Sequence, residues 1–149
     1  IEGGMGEISE LCCNLDDMTP EAIGFVQELL FQKGALDVYT IPIGMKKSRP
    51  GVLLACMCRR EMTEEMTAVL FRHTTTLGVR EIVSRRYTLH RETHTVPTPY
   101  GPVAVKTSTG WGVTRSKAEY EDVARIAREH GLSLAKVQAL IGQARELAR

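Results

Sequence analysis

The sequence predicts an α+β chain built on a ferredoxin-like βαββαβ antiparallel sheet, with an added β-hairpin and two C-terminal helices. Three observations carry that expectation. Short apolar runs of strand length alternate with segments of helical periodicity through the first half of the chain, in the order strand, helix, strand, strand, helix, strand. A Pro- and Gly-punctuated stretch, "HTVPTPYGPVAVKTS", then reads as a hairpin. Two helical patterns, broken at Gly131, close the chain.

The elements follow in order. "EISELCCNL" (7–15) is a mainly apolar run bounded by a polar turn at Asp16 and Asp17. Thr19 offers an N-cap hydroxyl and Pro20 suits the first helical position. Ile23, Val26 and Leu30 then recur at helical spacing until Gly34 ends the pattern. "ALDVYTIPIGM" (35–45) is rich in β-branched and aromatic residues, although Pro42 and Gly44 predict an irregular, partly unpaired end. "KKSRPG" has turn chemistry and "VLLACMC" is a continuous apolar run fit for a central strand, so the two strands form a hairpin. Thr63 is expected to cap a second helix with Met66, Val69 and Leu70 on one face. "TTTLGVREIVSRRYTLHRE" breaks at Gly78 and resumes as a strand. Ser116 and Glu119 have the S-x-x-E spacing of a capping box for "KAEYEDVARIAREHG", and Ser133 caps a final helix bearing Val137, Leu140, Ile141 and Ala144.

The chain of 149 residues reads as one domain, with 1–6 flexible or cloning-derived, 7–86 the ferredoxin-like core and 87–149 the hairpin and helical pair. It begins with Ile1, which suggests a fragment of something longer. A balance of 19 Lys+Arg against 18 Asp+Glu supplies no global field for a long nucleic acid, and no run is long and apolar enough to suggest a membrane span. No secretory signal is expected, and Cys12, Cys13, Cys56 and Cys58 are expected as reduced thiols in a cytoplasmic protein. Strands one and three would be neighbours, which would bring Cys12 or Cys13 near Cys56 or Cys58, but packed core thiols are the commoner outcome.

In a βαββαβ chain three connections fall at one end of the sheet: the Asp16–Asp17 turn, the hairpin from Met45 to Pro50, and the loop from His73 to Arg80. That end would gather two carboxylates with Lys46, Lys47, Arg49, Arg80 and the hydroxyls of Thr74, Thr75 and Thr76. Ammonium and guanidinium groups hold phosphate or carboxylate oxygens. Gly78 lets backbone amides approach an oxyanion, and Asp16 and Asp17 are hard oxygen ligands of the kind Mg²⁺ or Mn²⁺ takes when bridging to a nucleotide. Each part also has a bland reading: the hairpin tip as a solvated turn, the threonines as helix-closing residues, the aspartates as turn formers with side chains on opposite faces. Glu119, Glu121 and Asp122 suit the first turn of a helix for dipole reasons alone. Convergence of the three connections is what favours a metal-nucleotide site.

Four segments, "NLDDMTPEAIGFVQELLFQKGALDVYTIPIGMKKSRPG", "TTTLGVR", "YGPVAVK" and "EYEDVARIAREHG", occur in the order seen in the nickel insertion proteins of nickel-pincer nucleotide cofactor synthesis. The chain resembles the C-terminal part of that LarC family from about Glu10 to Leu140. The resemblance implies a CTP-dependent cyclometallase, a lyase-type enzyme that inserts nickel into pyridinium bisthiocarboxylic acid mononucleotide. This part would bind CTP with Mg or Mn, while the missing N-terminal domain is associated with metal insertion; a homo-oligomer is also expected. Membership of the motifs implies phosphate roles for Lys46, Lys47, Arg49, Thr75, Thr76 and Arg80, and metal roles for Asp16, Asp17, Glu119 or Asp122. The sequence departs from the family pattern at Cys12 and Cys13, where Glu and Thr are commoner, at Ala118, where Pro is usual, and at Val123, where Cys is usual. The first departure removes a possible hard ligand beside the aspartates. A rival reading is a non-catalytic ferredoxin-like module that binds a small anion and oligomerises, with "VPTPYGPVAV" adding strands across subunits. An RNA-binding sheet is disfavoured, because no strand shows paired stacking aromatics.

Overall fold

The structure, a computed structural model, describes residues 3–147. It is a mixed α/β fold: β1 (Gly3–Leu15), α1 (Pro20–Gln32), β2 (Asp37–Met45), β3 (Arg49–Arg59), α2 (Thr63–His73), β4 (Arg80–Thr98), β5 (Gly101–Gly110), β6 (Val113–Ala118), α3 (Tyr120–His130) and α4 (Leu134–Leu147). The strands form one six-stranded sheet in the order β2-β3-β1-β4-β5-β6. The chain divides into two compact units, one of Met5–Arg86 and the other of the residues from Tyr87 onward together with the N-terminal end.

In the first unit the element order is the one read from the sequence, and its hydrophobic core explains why. Leu11, Cys13 and Leu15 of β1 alternate onto one sheet face with Leu54, Cys56 and Cys58 of β3. That face meets Ile23, Val26 and Leu30 of α1 and Met66, Val69 and Leu70 of α2. Burial of these side chains contributes roughly 1.5–3 kcal/mol each relative to exposure, which is what holds two short helices that would be marginal alone. α1 begins as expected, with Thr19 accepting from the Ala22 amide at 3.1 Å and Pro20 in the first turn, and Gly34 follows its end in a left-handed conformation at φ 106°.

β1 starts at Gly3, while Ile1 and Glu2 lie outside the described residues. Three expectations are corrected here. β2 is paired along its whole length, through Met45 opposite Arg49, because it is an edge strand on which Pro42 can turn its missing donor away from β3. Thr63 does not cap α2. Met62 occupies the cap position, and the Thr63 hydroxyl lies 2.9 Å from the Arg60 carbonyl and 3.1 Å from Ser9 Oγ. Ser116 and Glu119 form no capping box, since β6 pairs with β5 as far as Ala118 opposite Val105, and Ser116 instead meets Thr107 across the strands at 2.9 Å.

The second unit buries Val96, Val103 and Val105 against Val123 and Ile126 of α3 and Val137 and Ile141 of α4. Its sheet contains a strand the sequence reading lacked. β6 follows a turn at Trp111 and Gly112, both with positive φ, closed by Gly110 opposite Val113. Ser133 caps α4, accepting from the Lys136 amide at 3.1 Å.

Candidate functional site

The strand order explains how the predicted cluster assembles. β1 lies between β3 and β4, so the two carboxylates at its end have neighbours on either side. Asp16 Oδ2 lies 3.6 Å from Arg49 Nη1, at the start of β3. Asp17 Oδ1 accepts a short hydrogen bond from Thr75 Oγ1, in the connection leading to β4. Arg80 Nη2 donates to Asn14 Oδ1 at 3.1 Å. The three connections therefore meet. The adjacent aspartates face opposite neighbours, as expected of consecutive side chains near the end of a strand.

The three threonines have three separate partners. Thr74 Oγ1 donates to the Leu70 carbonyl at 2.6 Å, closing α2 as the bland reading anticipated. Thr75 alone reaches the carboxylates. Thr76 Oγ1 donates to the Gly78 carbonyl at 2.7 Å and its hydroxyl also meets the Cys13 thiol. A hydrogen-bonded loop results, with Thr75 on its exposed side.

The hairpin tip is equally specific. A tight turn over Lys46–Ser48 joins β2 to β3, with Lys47 and Ser48 both left-handed at φ 61° and 59°. Each costs of order 1–2 kcal/mol for a side-chain-bearing residue, so the tight connection must impose it. Lys46 and Lys47 are exposed and make no ion pair among the described residues. Gly51 sits where β3 passes the end of β1. A Cβ there would fall 2.9 Å from the Leu15 carbonyl oxygen and against Met45 Sδ. Any side chain would force apart the strands that hold Arg49 next to Asp16.

The opposite sheet face carries a contact that sequence reading missed. Tyr39 of β2 reaches across Ala55 of β3 to donate its hydroxyl to Glu10 Oε1 of β1. That bond to the carboxylate, aided by burial, pushes the Tyr39 phenol up to about 12. Asn14, on the same alternation as Glu10 and Cys12, was likewise missed. Its signal was a polar side chain two residues before the aspartates on a strand of otherwise apolar end residues.

All four cysteines are free and buried. Burial pushes the Cys56 thiol up to about 12, with the Cys58 and Cys13 thiols adding to it. Burial likewise raises Cys12, Cys13 and Cys58. They are protonated core residues at neutral pH, the packed outcome the sequence favoured.

The remaining predicted ligands stand in the second unit and are occupied. Glu119 Oε1 pairs with Lys106 Nζ at 2.9 Å. Asp122 Oδ2 accepts from the Ala104 amide at 2.8 Å, and its other oxygen lies 3.8 Å from Arg125. Both tie α3 to β5. Among the described residues no group of three or more His, Cys, Asp or Glu side chains stands together in an arrangement that could hold a metal ion.

Fold and site together define a mixed α/β chain with a six-stranded antiparallel sheet, bearing a cluster of cations, hydroxyls and carboxylates at one strand end. It belongs to the nickel insertion protein family, whose description "Nickel insertion protein" matches residues 3–138. A putative nickel insertion protein of Nostoc sp. is 46% identical over 140 residues, covering 89% of this chain and 32% of that protein. The pyridinium-3,5-bisthiocarboxylic acid mononucleotide nickel insertion protein of Acetivibrio thermocellus is 41% identical over 138 residues, covering 93% and 34%. The chain thus spans about a third of the length of the curated relatives it matches. Among solved structures, the apo C-terminal domain of a cyclometallase involved in synthesis of the NPN cofactor of lactate racemase superposes with TM-score 0.85 at 33% identity, over 96% of this chain and 99% of that one. A Methanopyrus kandleri protein shares the fold at TM-score 0.75 and 23% identity, over 95% of this chain and 90% of that one. No described helix is long and apolar enough to cross a membrane.

Proposed function

We propose that this chain is the CTP-binding C-terminal part of a nickel insertion enzyme that converts pyridinium bisthiocarboxylic acid mononucleotide into the nickel-pincer cofactor. The core of 7–86 is read as ferredoxin-like, a reading supported by the strand order β2-β3-β1-β4 with both helices sharing one core. The observation that carries the nucleotide reading is the meeting of three connections at the end of β1: Lys46 and Lys47, without an ion pair among the described residues, Arg49 and Thr75 on Asp16 and Asp17, and Arg80 on Asn14.

In this reading Lys46 and Lys47 neutralise the terminal phosphates, and Arg49 and Arg80 exchange their present partners for phosphate oxygens in the bidentate geometry a guanidinium offers. Thr75 turns its hydroxyl from Asp17 to the ligand, and Thr76 holds the loop that presents it. Asp16 and Asp17 fit a hard divalent ion as acceptor-only oxygens released by those same exchanges. Mg²⁺ or Mn²⁺ would supply charge neutralisation of the triphosphate. Asp122 does not fit, because one of its oxygens holds the Ala104 amide, whereas Glu119, paired only with the Lys106 side chain, could exchange that partner as Asp16 does. Nickel is substrate, and its insertion is assigned to the enzyme with its N-terminal domain; a homo-oligomer is part of the same proposal.

Calorimetric titration of CTP with Mg²⁺ or Mn²⁺, repeated with ATP and with Lys46→Ala plus Lys47→Ala, tests it. Metal-dependent binding that prefers CTP and weakens at least about 100-fold in the double variant is expected, at roughly 1.5 kcal/mol per lost charge-assisted contact. Binding unaltered in the double variant would move the phosphates elsewhere.

A further inference from the structure

We infer that the second unit carries its own oxyanion site, shaped for a small phosphomonoester and centred on Arg145 and Ser116. It stands independently of the nucleotide reading of the first unit.

The sheet register builds it. Residues directly opposite one another in an antiparallel pair share a face. Val103 opposite Val96, and Val105 opposite His94 and Ala118, lie on the face that packs against α3 and α4. Two residues further along β5 the same face carries Thr107 opposite Ser116, then Thr109 opposite Thr114. The apolar core therefore gives way, along one face, to a ledge of hydroxyls with the His94 ring at its border.

α4 supplies the cation. Ile141 is buried in the core, and Arg145 follows four residues later, one turn on along the same helix face. The guanidinium consequently overhangs the place where core becomes ledge. A cavity of about 430 Å³ opens there, lined by His94, Val96, Pro97, Thr107, Ser116 and Arg145 among others. A second cavity of about 210 Å³ adjoins it and shares Ser116 and Arg145.

The chemistry of the lining selects the ligand. The Thr107 and Ser116 hydroxyls are 2.9 Å apart, so one proton lies between them and the pair retains one O–H to donate outward. Arg125 is held by Asp122 and Glu129, whereas Arg145 makes no ion pair among the described residues. The carboxylate that shares this face, Glu92 opposite Thr107, is taken by His90 at 3.0 Å. A planar five-donor cation, a hydroxyl donor and an imidazole line the cavity, Glu92 is not among its described lining residues, and this set suits a tetrahedral oxyanion. The volume exceeds what a bare ion fills and falls in the range of small-molecule sites, roughly 300–1,000 Å³. Val96 and Pro97 offer an apolar wall for the body of the ligand.

The test is a titration of ribose 5-phosphate into isotope-labelled protein carrying Lys46→Ala and Lys47→Ala, followed by amide and guanidinium NMR signals, with inorganic phosphate and acetate as parallel arms. Saturable shifts at Thr95, Thr107, Ser116 and Arg145 are expected with ribose 5-phosphate and more weakly with phosphate. Arg145→Gln should weaken them at least about tenfold, the loss of one charge-assisted contact, without moving the melting temperature. Ser116→Ala should weaken them less. Absence of saturable shifts at these residues, shifts unchanged in Arg145→Gln, or equal response to acetate would each overturn the assignment.

Discussion

The two units use carboxylates in opposite ways. In the first, Asp16 and Asp17 lie past the end of a strand and are held by side chains of other connections, Arg49 and Thr75, which can let go without breaking a strand or helix. In the second, Glu119 and Asp122 begin α3, and Asp122 accepts a backbone amide of β5. The residue type is the same in both places. What separates a candidate ligand from a fastener is whether a backbone donor of a neighbouring element lies within reach, since an amide left unpaired by the carboxylate's departure costs about 1–3 kcal/mol.

Their cores differ as well. The first combines five leucines, three thiols and one methionine with four β-branched residues, whereas the buried residues of the second are all β-branched Val and Ile. Paired truncations exploit this. Leu54→Ala, on the completely buried centre of β3, should cost about 3–4 kcal/mol, and Val105→Ala about 2 kcal/mol, because fewer methylenes are removed. Hydrogen exchange should report each loss in its own unit; equal loosening of both by either variant would break the comparison and make the chain one cooperative body.

Next in size is Gly51→Ala. The added methyl meets the Leu15 carbonyl and Met45, so about 1–3 kcal/mol of stability should be lost, with CTP affinity falling further than the same loss of stability produced by Leu54→Ala. Calorimetry on both variants separates a misaligned hairpin tip from simple loosening. Smaller again is the contrast of Asp122→Ala with Asp17→Ala. The former should lose about 1–2 kcal/mol in denaturant melts and leave CTP binding intact, while the latter should change stability by less than about 0.5 kcal/mol and abolish metal-dependent binding. Reversed outcomes would assign the fastener role to the wrong unit.

The gentlest effect near neutrality is pH dependence. Cys56 rises from an ordinary value near 9 to about 12 on folding, so the folded state binds the thiol proton more tightly than the unfolded chain. That contribution is complete below pH 9 and declines as pH climbs toward 12. Urea midpoints should be level from pH 6 to 8 and fall progressively above 9, and Cys56→Ala should flatten the fall. An unchanged slope in the variant would remove the thiols as its cause.

Much of the first unit was legible because its signals are local. Thr19, Pro20 and Gly34 mark both ends of α1, and Ile23, Val26 and Leu30 fix its buried stripe. The candidate site was legible at one remove, since element order alone brings its three connections to one end. Less was legible after Arg86. β4 continues through Pro97 for 19 residues, which depends on pairing with β5 and not on any periodicity of its own. β6 escaped because its turn places Trp111 at a positive φ, a conformation no propensity suggests for that residue. The partners of Glu119 and Asp122 were not legible either, because a sequence does not show that Lys106 and the Ala104 amide will be beside them.

The placement of Trp111 has one practical consequence. It is the chain's single tryptophan, set edge-on to Tyr87 at 5.6 Å between ring centres, while all four cysteines belong to the first unit. Fluorescence and thiol labelling are therefore orthogonal reporters already written into the polypeptide. Indole emission follows one half and thiol accessibility the other, so the order in which the halves come apart can be timed on unmodified protein.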